Sequence, residues 1–269
     1  MNRLLMLSVL AMLGFAGAIE TVACPQGEAA KAQSRPNVLF VSVDDLRPEI
    51  GCYGNSVIKT PSFDAFSKTG TTFMRAYCQA AVCAPSRASV MTGLRPDSTR
   101  VWDLRGKFRI NLPDVVTMPQ YFHEHGYHTV SMGKIFHNHM PDRVSFDEPD
   151  LRPAKYMTPE MIDREPESFY HDDEINRELA EVREQRLKKN PKRYADGWAY
   201  GRAVESFDGP DNQFYDGAQT ELAIDTMKRL KEKDQPFFLA LGYYRPHLPF
   251  RGANEVLGFV RPRYVAAGR

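Results

Sequence analysis

The 269-residue sequence has almost no net charge: 35 Lys and Arg stand against 34 Asp and Glu, a formal +1. That balance excludes a chain-wide basic surface and an acidic disordered tail, so no nucleic-acid partner is expected. Cysteine is scarce at 4 residues, which excludes a small domain held together by many disulfides. Glycine at 18 and proline at 19 are ordinary counts and exclude collagen-like or low-complexity chains. Long apolar runs are missing outside the first twenty or so residues, and that run is too short for a comfortable membrane span, so no transmembrane segment is expected. What the sequence does have is a hydrophobic fraction of 42%, enough to fill the core of one large folded domain of mixed class.

Arg3 precedes an uncharged stretch from Leu4 to Ile19, and the small residues Ala16-Gly17-Ala18 and Thr21-Val22-Ala23 lead to Cys24. A basic start, a short apolar segment and small residues before a cleavage point form the pattern of a secretory signal peptide. Residues 1–23 are read as that signal and 24–35 as a polar linker, which makes the mature chain an exported one: periplasmic, cell-surface or secreted. A buried N-terminal helix is the alternative, and lipid attachment at Cys24 is a weaker option because Glu20 and Thr21 suit it poorly. With Cys24 set aside, Cys52, Cys78 and Cys83 remain, an odd number that leaves one thiol for other use.

Asn37 to Val43 is a short β-branched run that stops at two carboxylates, the mark of a buried strand presenting Asp44 and Asp45 at its C-terminal end. Thr60-Pro61 opens a helix closed by Gly70, and the aromatic and β-branched residues of Thr71 to Cys78 predict a second strand. A helix follows from Cys83 to Thr92 with Gly93 as its cap, then another from Met118 to His125 and a strand from Tyr127 to Met132. Between Pro141 and Pro210 five further prolines break up a charged, loop-rich insertion whose one clear element is a helix at about Asp172 to Lys189. Its basic run Arg186-Leu187-Lys188-Lys189 reads as a solvated helix end, the alternative being a polyanion site. Core patterning returns with a helix from Gln219 to Lys231 and a buried strand from Phe237 to Tyr243. Alternating strands and helices predict an α/β sheet with crossover connections.

Three sets of reactive groups come directly after expected strands: Asp44 with Asp45, Lys134 with His137, and His247. In wound α/β sheets ligands bind beyond the carboxyl ends of strands, so these groups should converge. Adjacent carboxylates suit a hard cation such as calcium or magnesium, or else are simply the solvated start of a loop. Cys83 at a helix N-terminus, with Arg87 one turn along, offers a positive field and a bidentate guanidinium for an oxyanion; the alternative is a structural cysteine beside a surface arginine. His123, His125 and His128 are read as surface or satisfied core histidines.

Cys83-Ala84-Pro85-Ser86-Arg87 with Thr92-Gly93 resembles the C-x-P-S-R signature of the type I, formylglycine-dependent sulfatases. Val43-Asp44-Asp45-Leu46-Arg47-Pro48, Gly51-Cys52-Tyr53-Gly54, Gly133-Lys134-Ile135-Phe136-His137 and Arg245-Pro246-His247-Leu248-Pro249-Phe250 are similar to its iduronate-2-sulfatase branch. The resemblance implies an alkaline-phosphatase-like α/β sandwich with a central, mostly parallel sheet and helices on both faces, here its N-terminal part over 36–250. It also implies a sulfuric ester hydrolase acting on a sulfated polysaccharide, with Cys83 converted to formylglycine by a formylglycine-generating enzyme. Asp44, Asp45 and residue 83 would then hold a Ca2+ ion. Arg87 would position the hydrate or neighbouring carboxylates, Lys134 would grip sulfate, His137 would orient the hydrate, and His247 would contact sulfate or protonate the leaving alcohol.

Relatives are longer and carry further metal ligands in a later segment, so two carboxylates fall short of the six to eight oxygens calcium takes. After Phe250 the family pattern would continue A-P-x-K-Y-W-D. A one-base shift in a possible back-translation of Gly252 onward restores such a text, so 251–269 is expected to be an out-of-frame tail, poorly packed from Gly252. A truncated, non-catalytic remnant that at most binds sulfated glycans through Arg87, Lys134 and the insertion's basic residues is the competing reading. A phosphoester hydrolase of the same superfamily fits less well, because it would use Ser or Thr as nucleophile.

Overall fold

The computed structural model describes residues 35–137, 141–159, 161–162, 170–193, 199 and 201–253. The expected signal peptide, and the tail from 254 onward, lie outside the described residues. The strands are β1 (Val38–Val43), β2 (His128–Gly133), β3 (Val204–Phe207), β4 (Phe237–Tyr243) and β5 (Phe250–Ala253). The helices are α1 (Pro61–Ser67), α2 (Cys83–Thr92), the short turns α3 (Pro96–Thr99) and α4 (Phe108–Asn111), then α5 (Met118–Glu124), α6 (Asp173–Lys189) and α7 (Tyr215–Lys231).

β1, β4 and β2 form a parallel sheet in that order, so the strand latest in sequence lies in the middle. The alternation of β4 explains why it is apolar throughout. Phe238 and Ala240 join one core cluster with Ala84, Ala88 and Met91 of α2, while Phe237, Leu239 and Leu241 join another with Ala223 and Leu230 of α7. A strand covered on both faces has no position for a polar side chain. Helices therefore cover both faces, as expected. α2 begins after an extended Val82 and ends at Gly93, whose φ of 70° closes the helix with its amide on the Ser89 carbonyl at 2.9 Å. α5 starts with a capping box between Thr117 and Gln120.

Three expectations change. The residues from Thr71 to Cys78 form no strand: Phe73, Met74 and Tyr77 are 70%, 63% and 83% exposed. Their strand-like composition finds no neighbouring strand or core to pack against, and β-propensity depends on such packing. α7 starts at Tyr215, four residues before its expected start, because Gly217 sits in its first turn and weakens the helical signal there. That glycine is required: a Cβ at Gly217 would stand 1.9 Å from the Asp211 carbonyl oxygen. The third change is in the insertion. β5 pairs in parallel with β3, Val204 opposite Phe250 and Phe207 opposite Ala253, and Arg251 and Ala253 are buried. The pairing places a strand, β3, in a segment that was expected to hold one helix as its clear element.

Candidate functional site

β1 delivers Asp44 to the sheet's C-terminal edge, where the Asp44 amide donates to the Tyr243 carbonyl at 3.0 Å. The chain then turns sharply, since Asp45 adopts a φ of 54°, a left-handed conformation uncommon for any residue but glycine. Asp44 is buried and Asp45 is exposed. At the end of β2, Gly133 takes a φ of 71°, and Lys134 crosses behind β4 with its amide on the Gly242 carbonyl at 2.9 Å. A side chain at Gly242 would collide with the Lys134 carbonyl, its Cβ lying 2.1 Å from that oxygen. The β4–β5 connection brings in His247.

Asp44 is the hub. Its Oδ1 accepts from Arg87 Nη2 at 2.8 Å, and its Oδ2 accepts from Lys134 Nζ at 2.5 Å. Cys83 Sγ, at the first residue of α2, lies 4.0 Å from Oδ2. Burial alone would push the Asp44 carboxyl up, but Lys134 and Arg87 outweigh it and hold the carboxyl below the usual range. Arg87, itself buried, also donates from Nη1 to the carbonyls of Lys134 and Ile135 and to Ser42 Oγ at 3.3 Å. Lys134 is 2% exposed, and its Nζ lies 5.6 Å from the centre of the Tyr244 ring. Arg87 and Lys134 are thus both committed to one carboxylate.

The Cys83 thiol is pushed up, first by burial and then by Asp44 and Asp45, against the pull of Lys134 and Arg87. The expected positive field at α2 is present but outweighed. His137 is half-buried with no partner on its Nδ1, and burial, followed by Lys134, brings its pKa down to about 4. It is neutral at pH 7. His247 Nδ1 lies 2.7 Å from the Leu248 carbonyl oxygen, which can only accept, so this nitrogen carries the proton. Its Nε2 lies 3.9 Å from Asp45 Oδ2. One donor atom each from Asp44, Cys83 and His247 falls within 4.8 Å of the others.

The expected convergence from β1, α2, β2 and the β4–β5 loop is therefore met in space. His123, His125 and His128 lie apart: His123 pairs with Asp147 at 2.9 Å, His128 with Glu148 at 2.7 Å, and His125 stacks on Tyr121. Cys52, Cys78 and Cys83 are free thiols. Sequence reasoning missed Asp216 of α7, whose Oδ2 accepts from the Arg245 amide at 2.7 Å and whose Oδ1 accepts from the Tyr244 amide at 3.0 Å, fixing the loop to His247. It also missed Gln219, whose Nε2 donates to the Gly242 carbonyl at 2.8 Å. Neither carries a sequence signal beyond its place in a helix.

Calcium does not fit the donors present. Among the described residues the site offers two carboxylates, one already engaged by two cations, and otherwise a sulfur and an imidazole nitrogen, which calcium does not favour.

Comparison with known proteins follows the same residues. The Sulfatase family model matches residues 36–264, past the expected end of the domain at 250. Iduronate 2-sulfatase from Homo sapiens is 36% identical over 222 residues, 81% of this chain and 36% of that protein. Its counterpart from Mus musculus is 36% identical over 250 residues, 93% of this chain and 41% of that protein. The chain thus spans about two-fifths of the length of these relatives. The solved structure of BT4656 in complex with its substrate D-glucosamine-2-N,6-O-disulfate superposes with a TM-score of 0.52 at 21% identity, covering 79% of this chain and 35% of that one. The fold is that of the alkaline-phosphatase-like sulfatases. Matched along most of its length by the family model and by these relatives, the chain belongs to the sulfatase family.

Proposed function

We propose that this chain carries the nucleophile-bearing part of an exported sulfuric ester hydrolase of iduronate-2-sulfatase type, acting on sulfate esters of a sulfated polysaccharide. The observation that carries the reading is Cys83 at the head of α2, 4.0 Å from a carboxylate that Arg87 and Lys134 both hold. Cys83 is read as the substrate of a formylglycine-generating enzyme, and the resulting aldehyde hydrate would supply one hydroxyl to take up sulfur and a second to let sulfate leave. A plain thiol has no second hydroxyl. Calcium is the family's expected ion, but the described donors, Asp44 and Asp45 included, do not fit it, and no step here is routed through it.

The chain's own residues have these parts. Arg87 holds the Asp44 carboxylate in place and, through the carbonyls of Lys134 and Ile135, locks the end of β2 against α2. Lys134 brings a buried positive charge to the floor of the site, where sulfate oxygens are drawn in. His137, neutral and with an unpartnered nitrogen, can accept a proton from the nucleophile's side. His247, at the open side, is placed to meet the leaving alcohol. The mature chain is read as exported by residues 1–23; no described helix is long and apolar enough to cross a membrane.

The test is expression with a formylglycine-generating enzyme, a mass measurement on the Cys83 peptide, and sulfate release from sulfated glycans. Conversion of Cys83 together with turnover that disappears in Cys83→Ala supports the reading. The second reading, a remnant that binds sulfated glycans without cleaving them, is favoured by the engagement of both Arg87 and Lys134 with Asp44. Retained glycan binding with no sulfate release from a converted chain would establish it.

A further inference from the structure

Before any conversion of Cys83, the site presents a donor set of a different kind from the one calcium needs. Asp44, whose carboxylate keeps lone pairs beyond the two taken by Arg87 and Lys134, offers an oxygen, Cys83 a sulfur and His247 a ring nitrogen, all within 4.8 Å of one another. Soft sulfur with imidazole and a single carboxylate is the ligand chemistry of zinc, which binds three protein groups and leaves a fourth position open. Zinc–sulfur bonds of about 2.3 Å and zinc–nitrogen or zinc–oxygen bonds of about 2.0–2.1 Å put tetrahedral donors roughly 3.3–3.8 Å apart. The Cys83–Asp44 separation of 4.0 Å is already close to that range. Cys83 and His247 are only partly buried, so small rotations close the remainder.

A second observation points the same way independently. The Nδ1–H of His247 is committed to the Leu248 carbonyl at 2.7 Å, which fixes the tautomer and leaves the Nε2 lone pair free. Metal-ligating histidines are held in this manner, the other ring nitrogen donating to a carbonyl or carboxylate. Nε2 in turn lies 3.9 Å from Oδ2 of the exposed Asp45, at the open side of the site.

We infer that the unconverted, thiol form of this chain is a zinc-type site formed by Asp44, Cys83 and His247, with the fourth position left to water. Binding replaces the S–H bond of Cys83 by a zinc–thiolate bond, and the thiol proton goes to solvent. Conversion of Cys83 to an aldehyde hydrate removes the sulfur and puts oxygen in its place, which moves the site's preference from soft to hard cations. This last clause rests on the proposed function; the zinc site does not, since it concerns the thiol and needs no turnover.

The experiment uses the full chain made without a formylglycine-generating enzyme, with the Cys83 thiol checked by mass. Cobalt(II) serves as the optical probe. The expected result is a thiolate-to-cobalt charge-transfer band at one equivalent, displaced by an equivalent of zinc and unaffected by a hundredfold excess of calcium. Cys83→Ser, shown by circular dichroism to be folded, abolishes the band and weakens zinc binding at least about 100-fold, beyond what loss of a supporting contact costs. His247→Ala weakens binding by a similar factor, and Cys78→Ser leaves the band intact. Absence of the band in the parent chain, its survival in Cys83→Ser, or displacement by calcium as readily as by zinc overturns the inference. A chain that binds zinc as the thiol but releases no sulfate once Cys83 is converted would refute the proposed function and leave this site standing.

Discussion

Gly133 stands opposite Gly242 in the β2–β4 register, and the carbonyl of Gly242 accepts both the Lys134 amide at 2.9 Å and the Gln219 amide group at 2.8 Å. Two residues without side chains at this crossing allow the chain after β2 to run close against β4, which is how Lys134 gets beneath Asp44. Gly242→Ala places a Cβ about 2 Å from a backbone oxygen that no side-chain rotation can move. The expected cost is at the upper end of the 1–3 kcal/mol typical of overpacking, about 3 kcal/mol, read from urea denaturation. A loss under about 0.5 kcal/mol would show that the strand ends are slack.

The Asp44–Lys134 pair is buried on both sides, with side chains 4% and 2% exposed. Asp44 also holds Arg87 at 2.8 Å, so it is the loss of Asp44 that strands buried charge: Asp44→Asn should destabilise by about 3–5 kcal/mol, and Lys134→Met, which leaves the Arg87 pair intact, by clearly less. The double variant Asp44→Asn with Lys134→Met should lose clearly less than the sum of the two single losses. Simple additivity in that cycle would mean that the two charges are not coupled.

Asp150, half-buried and accepting from Ser131 Oγ at 2.9 Å, has its carboxyl pushed up to about 6 by burial. A raised acid binds its proton more tightly in the folded chain than in the unfolded one, where it titrates near 3.8. Its contribution is therefore fully present below about pH 4 and lost as the pH rises through about 6. Compared with Asp150→Asn, the parent chain should gain about 1–2 kcal/mol between pH 7 and pH 4. Parallel stability curves for the two proteins would rule this out.

His137 acts with the opposite sign over an overlapping range. Burial first, and then Lys134, depress it to about 4 from 6.5, so the unfolded chain takes up the proton first. Stability falls as the pH drops from about 6.5 toward 4, and His137→Gln should remove that slope. Nuclear magnetic resonance titration of the ring protons offers a direct check: a midpoint near 6.5 would contradict the buried, neutral state.

The elements that define the site were legible in the sequence because each carries a local signal that survives in the fold. The Pro85 and Gly93 that bracket α2 reflect helix-end chemistry, and the wholly apolar Phe237 to Tyr243 reflects packing on two sheet faces. The run ending at Val43 forms its strand, but the expected burial holds on one face only: Val38 and Phe40 pack against the core while Leu39 and Val41 stay exposed. The strand expected at Thr71 to Cys78 failed for the opposite reason: its residues have strand character but no partner, and partners are not written locally. The convergence of Asp44, Cys83, Lys134 and His247 could be anticipated from strand ends alone. What could not be read was the consumption of Arg87 and Lys134 by a single carboxylate, or the part of Asp216 in fixing the loop to His247, since both depend on distances between segments far apart in the chain.

The central position of β4 has a consequence for the order of events during synthesis. β1 and β2 share no edge, and the strand that pairs with both, β4, leaves the ribosome roughly two hundred residues after β1. At 5–20 residues per second, that interval is about 10–40 s. Until β4 emerges, Asp44, Cys83 and Lys134 belong to segments that no shared strand pairing joins. The last strand to emerge closes the sheet and brings all three to one place.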